Sequence, residues 1–156
     1  MSHEDYMREA IALSREKMRE REGGPFAAIV VKDERVVGRG WNRVTGTNDP
    51  TAHAEVLAIR EACETLGDYS LEGAVIYTTC EPCPMCLAAI YWARLSGLFY
   101  ANTTADAAGI GFDDEFLYRE LALPASERSI AAERLLGDEA REVFQAWDAM
   151  EDKELY

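Results

Sequence analysis

Four residues that can bind a metal or move a proton lie in two short segments of the chain, PTAHAEV and EPCPMC. The first segment supplies His53 and Glu55, and the second supplies Cys83 and Cys86. One imidazole and two thiolates leave the fourth tetrahedral position of a zinc ion open for water, whereas a structural zinc site is normally closed by a fourth Cys or His. The pattern therefore predicts a catalytic zinc site with His53, Cys83 and Cys86 as ligands. Glu55 is then placed to carry protons as the catalytic residue.

Neither segment is specific alone, since a C-x-x-C pair can be redox-active or structural, and His and Glu often share a surface helix. The combination is specific, because HAE followed about 30 residues later by PCPMC matches the zinc deaminase signature H-x-E…P-C-x-x-C. Cys80 is near enough to compete as a ligand, but it precedes the Glu81-Pro82 turn. We expect its thiol to pack at the end of a strand.

The hydrophobic pattern predicts helices that alternate with short strands. A helix over 7–18 is followed by a hairpin over 25–44, a helix over 53–67, a strand over 74–79, a helix over 84–95, a strand over 97–101 and a helix over 138–150. The segment SIAAERLL fits either a helix or an edge strand. Apolar strands separated by helices favour an α/β fold with both faces of the sheet covered. Both functional segments begin a helix, where unsatisfied N–H groups lower thiol pKa values.

Length, charge and cysteine usage limit the class of protein. The 156 residues suit one domain with one core, and the formal net charge is −13. No stretch approaches the roughly 20 apolar residues of a membrane span, and the start MSHEDYMREA lacks the layout of a secretory signal, so we expect a cytoplasmic protein without a membrane partner. An acidic surface repels phosphate, so we expect no nucleic acid partner. Cys63, apart from the other cysteines, is expected to be an ordinary buried residue.

Longer stretches of the chain resemble the bacterial guanine deaminases, a family within the cytidine and deoxycytidylate deaminase-like zinc deaminases. The resemblance is carried by GGPFAA, NDPTAHAEV, CEPCPMCLAAIYWAR, DAAGIGFDDEFLYRE and the C-terminal FQAW and ELY. It implies a three-layer α/β/α sandwich with a central mixed sheet of about five strands. It also implies one zinc ion per subunit and the hydrolysis of guanine to xanthine and ammonia by an activated water.

The same resemblance implies roles for five residues around a purine base. Asn42 would hold the base through its side-chain amide, Asp114 would accept N–H groups of the base, Phe26 and Trp92 would flank the ring, and Tyr156 would close the pocket. Taken without the resemblance, the residues themselves favour structural roles: a turn residue for Asn42, a helix cap for Asp114, core packing for Phe26 and Trp92, and a frayed end for Tyr156.

Substrate identity is the least constrained part of this prediction. Ala27 follows Pro25 and Phe26 where we expect glycine in the family, and its methyl group could narrow the pocket. Relatives with the same zinc site act on cytosine, cytidine, guanosine or adenosine in tRNA. A different class of function, a non-catalytic module in which zinc ties two helix ends together, is disfavoured by Glu55 and by the open fourth position.

The C-terminal segment carries apolar residues nearly to its end, namely Phe144, Trp147, Leu155 and Tyr156. We expect one domain over residues 1–156, in which residues 138–156 form a helical segment. The resemblance implies that this segment is exchanged with a second copy in a homodimer, so that Tyr156 reaches the partner's pocket.

Overall fold

The computed structural model describes residues 1–156, and its regular elements follow the predicted order closely. They are α1 (His3–Arg19), β1 (Ala27–Lys32), β2 (Arg35–Trp41), α2 (Val44–Thr47), α3 (Ala54–Leu66), β3 (Val75–Cys80), α4 (Pro84–Trp92), β4 (Gly97–Asn102), α5 (Thr104–Gly109), α6 (Glu115–Ala122), a 3₁₀ turn (Ala125–Glu127) and α7 (Gly137–Ala149). None of these helices has the length and apolar character that a bilayer crossing requires.

The chain divides into two compact units, Met1–Tyr118 and Arg119–Tyr156. The first unit holds the sheet and the helices from α1 to α5, and α6 begins in it. The second unit holds the 3₁₀ turn and α7, and therefore includes the segment 138–156 that was predicted to be exchanged.

The sheet has four strands in the order β2-β1-β3-β4. β1 is antiparallel to β2 and to β3, whereas β3 and β4 are parallel, so the predicted mixed sheet is confirmed. The expected count was about five strands. The segment 129–136, the candidate edge strand, forms neither helix nor strand.

Helices cover both faces of the sheet, as predicted for a three-layer α/β/α sandwich. On one face, Tyr6 and Ala10 of α1 pack against the strand residues Ile29, Val31 and Tyr77. On the other face, alanines of α3 and one residue of α4 pack against alternate strand residues, in a cluster that includes Ala28, Val30, Ala54, Ala58, Ala62, Ile76 and Ile90. Strand residues alternate between the two clusters because successive side chains of a strand point to opposite faces. Cys63 is half-buried and packs beside the second cluster.

Two glycines of β2 bring α3 close to the sheet. A side-chain carbon at Gly40 would overlap the carbonyl oxygen of Ala54, and one at Gly38 would overlap that of Ala58. Only residues without a side chain allow this approach of a helix backbone to a strand. The first turn of α3 is thereby held beside the end of β2, where Asn42 follows Trp41.

The predicted hairpin over 25–44 and the predicted helix over 84–95 are both present, with one difference in length. Asp33 and Glu34 join β1 to β2 with φ values of 49° and 59°, as a two-residue hairpin loop requires. α4 ends at Trp92, earlier than the predicted residue 95, because Arg94 has a left-handed backbone with φ of 56°. A helix cannot continue through that conformation.

Candidate functional site

Three of the predicted site residues converge in the structure. The ligand atoms of His53, Cys83 and Cys86 all lie within 4.8 Å of one another. Nδ1 of His53 is 3.6 Å from Sγ of Cys83 and 3.5 Å from Sγ of Cys86. About 3.5 Å is the separation expected for two tetrahedral ligands that each lie about 2.0 to 2.3 Å from one zinc ion. The donor set and its spacing therefore fit zinc.

Two helix ends produce this convergence. His53 is the N-cap of α3, and Cys83 is the N-cap of α4 with Pro84 at the first helical position. Cys86 lies three residues after Cys83, so both thiols share one face of the first turn. Pro84 is well suited to its position, since it lacks an N–H that would have no partner there. Both helices thus direct their positive ends toward the same point, which favours thiolates.

The charges of the metal-binding group depend on hydrogen bonds within it. The pKa of Cys83 falls to about 4 because its thiolate accepts hydrogen bonds from Cys86 and then from His53. The pKa of Cys86 is raised because its thiol donates to Cys83, and also because it is buried. The bond to Cys83 raises the pKa of His53 as well. A metal ion that binds here would replace these protons, as thiolate sites require.

Glu55 lies two residues after His53 in the first turn of α3, and its side chain is buried. Burial is the main cause that raises the pKa of its carboxyl group above the ordinary value. Glu55 does not belong to the convergent ligand set. A buried carboxyl group with a raised pKa holds a proton more readily than an exposed one, which suits it to accept a proton and to release it again.

A cavity of about 500 Å³ opens beside the metal-binding group. Its walls include these predicted residues: Phe26, Asn42, His53, Glu55, Cys83 and Asp114. This volume is typical of small-molecule sites, which combine apolar walls with a few polar groups. The structure thus brings together residues that lie far apart in the sequence.

The side chain of Asn42 is oriented by the backbone around it. Its Oδ1 accepts N–H groups of Gly24 and Val44, each at 3.2 Å. Gly23 packs against the same residue, and a side-chain carbon at Gly23 would overlap the carbonyl oxygen of Asn42. Because its oxygen is already engaged, Asn42 offers the cavity mainly its NH₂ group, which is a donor.

Two adjacent aspartates divide the roles that the sequence left open for Asp114. Oδ1 of Asp113 accepts the N–H groups of Glu115 at 3.0 Å and Phe116 at 3.4 Å, so Asp113 caps α6. Asp114 lines the cavity instead. Burial, followed by the negative charge of Cys83, raises the pKa of the Asp114 carboxyl group. When ionised, this carboxylate can only accept hydrogen bonds.

The aromatic predictions have mixed outcomes. Phe26 lines the cavity and meets the ring of Phe112 edge to face, with 4.9 Å between ring centroids. Trp92 does not line this cavity: it is 66% exposed at the far end of α4, about 12 Å along the helix from Pro84. Tyr156 belongs to the second unit and is exposed.

Three further residues clarify what the sequence reasoning missed or left open. Phe112 and Glu81 line the cavity, although neither was selected from its motif. Phe112 lies in the GFDD motif, directly before the two aspartates, so its position was a usable signal. Ala27 is buried in β1, where its N–H donates to Oγ1 of Thr79 at 3.0 Å, and it does not line the cavity.

The geometry predicts which cysteines retain the metal. Changing a residue that only orients a metal ligand typically weakens metal binding by roughly 10 to 100-fold. We expect Cys83→Ala and Cys86→Ala to weaken zinc binding by more than this, because each change removes a ligand. Cys80→Ala is the matched control, because Cys80 is also buried nearby but lies outside the convergent set. Zinc per chain, measured after dialysis against a chelator, checks this. Full zinc content in Cys83→Ala would contradict the assignment.

Comparisons with known proteins agree with this site. The sequence matches the family described as the cytidine and deoxycytidylate deaminase zinc-binding region over residues 1–102. The chain is 49% identical to the guanine deaminase of Bacillus subtilis, with 100% of both chains covered. The X-ray structure of that enzyme matches with a TM-score of 0.97 over 100% of this chain and 99% of the other.

Two further relatives are similar to a smaller extent. The structure of a guanine deaminase from Nitrosomonas europaea is 29% identical and has a TM-score of 0.68, with 90% of this chain and 73% of that chain covered. The tRNA-specific adenosine deaminase of Agrobacterium fabrum is 52% identical over 52% of this chain and 53% of its own length. The family match and the full-length relative together show that the chain belongs to the cytidine and deoxycytidylate deaminase family of zinc-binding enzymes.

Proposed function

We propose that the chain is a zinc-dependent hydrolase that converts guanine and water to xanthine and ammonia. The observation that carries this proposal is one cavity that is lined by two residues of the three-ligand metal site, by the buried Glu55, and by the polar side chains of Asn42 and Asp114. The full-length similarity to the Bacillus subtilis guanine deaminase supports guanine as the base.

When bound by His53, Cys83 and Cys86, zinc would supply an acidified water for attack on the carbon that bears the amino group. The protein supplies the proton transfers. Glu55 accepts a proton and delivers it to the departing nitrogen, which then leaves as neutral ammonia. Its raised pKa suits both directions of transfer, and its burial in the first turn of α3 holds it beside the ligands.

Two polar side chains of the cavity, those of Asn42 and Asp114, can orient a guanine ring. Guanine presents acceptors at its carbonyl oxygen and ring nitrogens, and the NH₂ group of Asn42 can donate to one of them. Guanine also carries N–H groups, which can donate hydrogen bonds to the carboxylate of Asp114. Phe26 supplies apolar surface for the flat ring. With one donor on Asn42 and one acceptor on Asp114, the cavity favours bases whose edge offers a matching acceptor and donor.

The role of Glu55 is tested by Glu55→Gln, which keeps the size of the side chain and removes its ability to carry a proton. We expect turnover to fall by about 10² to 10⁴-fold, the range typical of a lost general acid-base group. Zinc content should stay at the wild-type level, because Glu55 is not a ligand. Near-normal hydrolysis of guanine by this variant would show that another group carries the proton.

The choice of substrate is tested with a panel of guanine, guanosine, cytosine and a tRNA containing adenosine, each followed by ammonia release. We expect guanine to give the highest kcat/KM. The similarity to the tRNA-specific adenosine deaminase spans only 52% of this chain, and the net charge of −13 opposes a phosphate backbone at long range. Faster turnover of another member of the panel would reject guanine and leave the zinc chemistry in place.

We also propose that a homodimer completes the site, with the C-terminal segment contributed by the partner. Within the second unit, α7 has no buried residue, and its apolar side chains Val143 and Phe144 are 67% and 77% exposed. Leu155 and Tyr156 are each 74% exposed. Exposed apolar side chains concentrated in this one segment support a surface that another chain covers.

A hinge for this exchange is best placed in residues 129–136. The guanidinium group of Arg128 donates to the carbonyl oxygens of Glu120, Leu121 and Leu123, which holds the turn after α6. The following residues 129–136 have no regular structure.

Deletion of Leu155 and Tyr156 tests the exchange. We expect the shortened chain to keep its zinc and to lose most activity, because the pocket would no longer be closed to water. Refolding it with an equal amount of Glu55→Gln should restore activity to about one quarter of the wild-type level, since half of random dimers are mixed and each has one complete pocket. If the mixture shows no gain, the segment does not act on a partner's pocket.

We also propose a cytoplasmic location and no nucleic acid partner. All four cysteines are free, which supports a reducing compartment. The acidic net charge supports a small-molecule partner.

A further inference from the structure

Tyr118 connects two parts of the site without lining the cavity. It lies on α6, one helical turn after Asp114, and its hydroxyl donates to the carbonyl oxygen of Pro82 at 3.1 Å. Pro82 directly precedes the zinc ligand Cys83. One side chain thus joins the helix that follows the substrate-binding carboxylate to the loop that carries a metal ligand.

Other hydrogen bonds of this loop lead to different elements. The N–H of Glu81 donates to the carbonyl oxygen of Asn102 at 2.8 Å, which connects the loop to the end of β4. The carboxylate of Glu81 accepts the N–H of Thr104 at 3.1 Å, which connects it to the start of α5. Neither bond reaches α6, so neither can set the distance from the loop to Asp114.

The first turn of α6 transmits the position of Tyr118 to Asp114. The carbonyl oxygen of Asp114 accepts the N–H groups of Leu117 at 3.1 Å and Tyr118 at 3.3 Å. The side chain of Asp113 caps the same turn by accepting the N–H of Glu115. A displacement of Tyr118 therefore moves the backbone of Asp114, because the two residues belong to one hydrogen-bonded turn.

The Tyr118 hydroxyl is also kept in its donor form. Partial burial, and then the negative charges of Glu81, Cys83 and Asp114, raise the pKa of its phenol group above the usual range. A neutral phenol donates its proton, whereas a phenolate could not bond to a carbonyl oxygen.

We propose that Tyr118 is a positioning residue that holds the carboxylate of Asp114 at a set distance from Cys83 through its hydrogen bond to Pro82. This inference rests on the proposed function, since it assigns to Asp114 the binding of the base. Tyr118 would thus influence the orientation of guanine from outside the cavity, in addition to the residues that line it.

The first test is Tyr118→Phe in the zinc-loaded enzyme. We expect the KM for guanine to rise about tenfold and kcat to change by less than about threefold, because the variant loses one hydrogen bond and no reacting group. Zinc content should not change. Tyr91→Phe is the matched control, because Tyr91 is 77% exposed and does not line the cavity. An unchanged KM in Tyr118→Phe would overturn the proposal.

A double-mutant cycle separates positioning from general loss of structure. If Tyr118 acts through Asp114, Tyr118→Phe should change KM by less than about twofold when Asp114 is already Ala, since coupled residues do not add their effects. If the effects of the two substitutions on KM multiply in the double variant, Tyr118 acts independently of Asp114 and the proposal fails.

Hydrogen exchange of the backbone in the substrate-free zinc enzyme tests the proposal independently of guanine. Amides of residues 115–122 should exchange faster in Tyr118→Phe than in Tyr91→Phe, because α6 has lost its bond to the loop. Unchanged exchange would overturn the role of Tyr118 even if guanine is the substrate. Conversely, if exchange is faster in Tyr118→Phe but the wild-type enzyme does not hydrolyse guanine, the proposed substrate is rejected and the connection through Tyr118 stands.

Discussion

The structure depends on holding two thiols, an imidazole and a carboxyl group together in a largely buried space. Cys83, Cys86 and Glu55 are buried and His53 is half-buried, so water can screen their charges only weakly. Two features of the fold stabilise such a cluster without metal: the N-termini of α3 and α4 meet there, and the sulfurs and the imidazole share hydrogen bonds. A divalent cation that binds here offsets the same charges more completely.

Around this cluster, some polar groups form hydrogen bonds within the protein, while neighbouring polar groups remain available to the cavity. Asn42 uses its oxygen for the backbone and keeps its NH₂ group for the cavity, while Asp113 caps a helix and leaves Asp114 for the cavity. The family match ends at residue 102, after both zinc-ligand segments and Asn42. Asp114 and Phe112, which line the cavity, follow that point, so the zinc-ligand segments and part of the cavity wall occupy different parts of the chain.

Local patterns allowed much of the fold and the metal site to be predicted. His53, Glu55, Cys83 and Cys86 lie in two compact motifs, and each motif begins a helix whose hydrophobic pattern is clear. Predictions that needed distances between remote elements were weaker. The family resemblance alone placed Trp92 beside the base, whereas the rise of α4 carries this residue to the opposite end of that helix from the ligands. Phe112 was overlooked because its contact with Phe26 depends on packing between distant segments.

The contact between α3 and β2 has a thermodynamic consequence for the site. It is formed by Gly38 and Gly40 on the strand and by Ala54 and Ala58 on the helix. None of these side chains has rotamers to lose, so bringing the helix to the sheet costs little side-chain conformational entropy. The same contact has no alternative side-chain arrangements through which the helix could shift. His53 and Glu55 are therefore carried by a helix with one preferred position, and little reorganisation is required of it when a ligand binds.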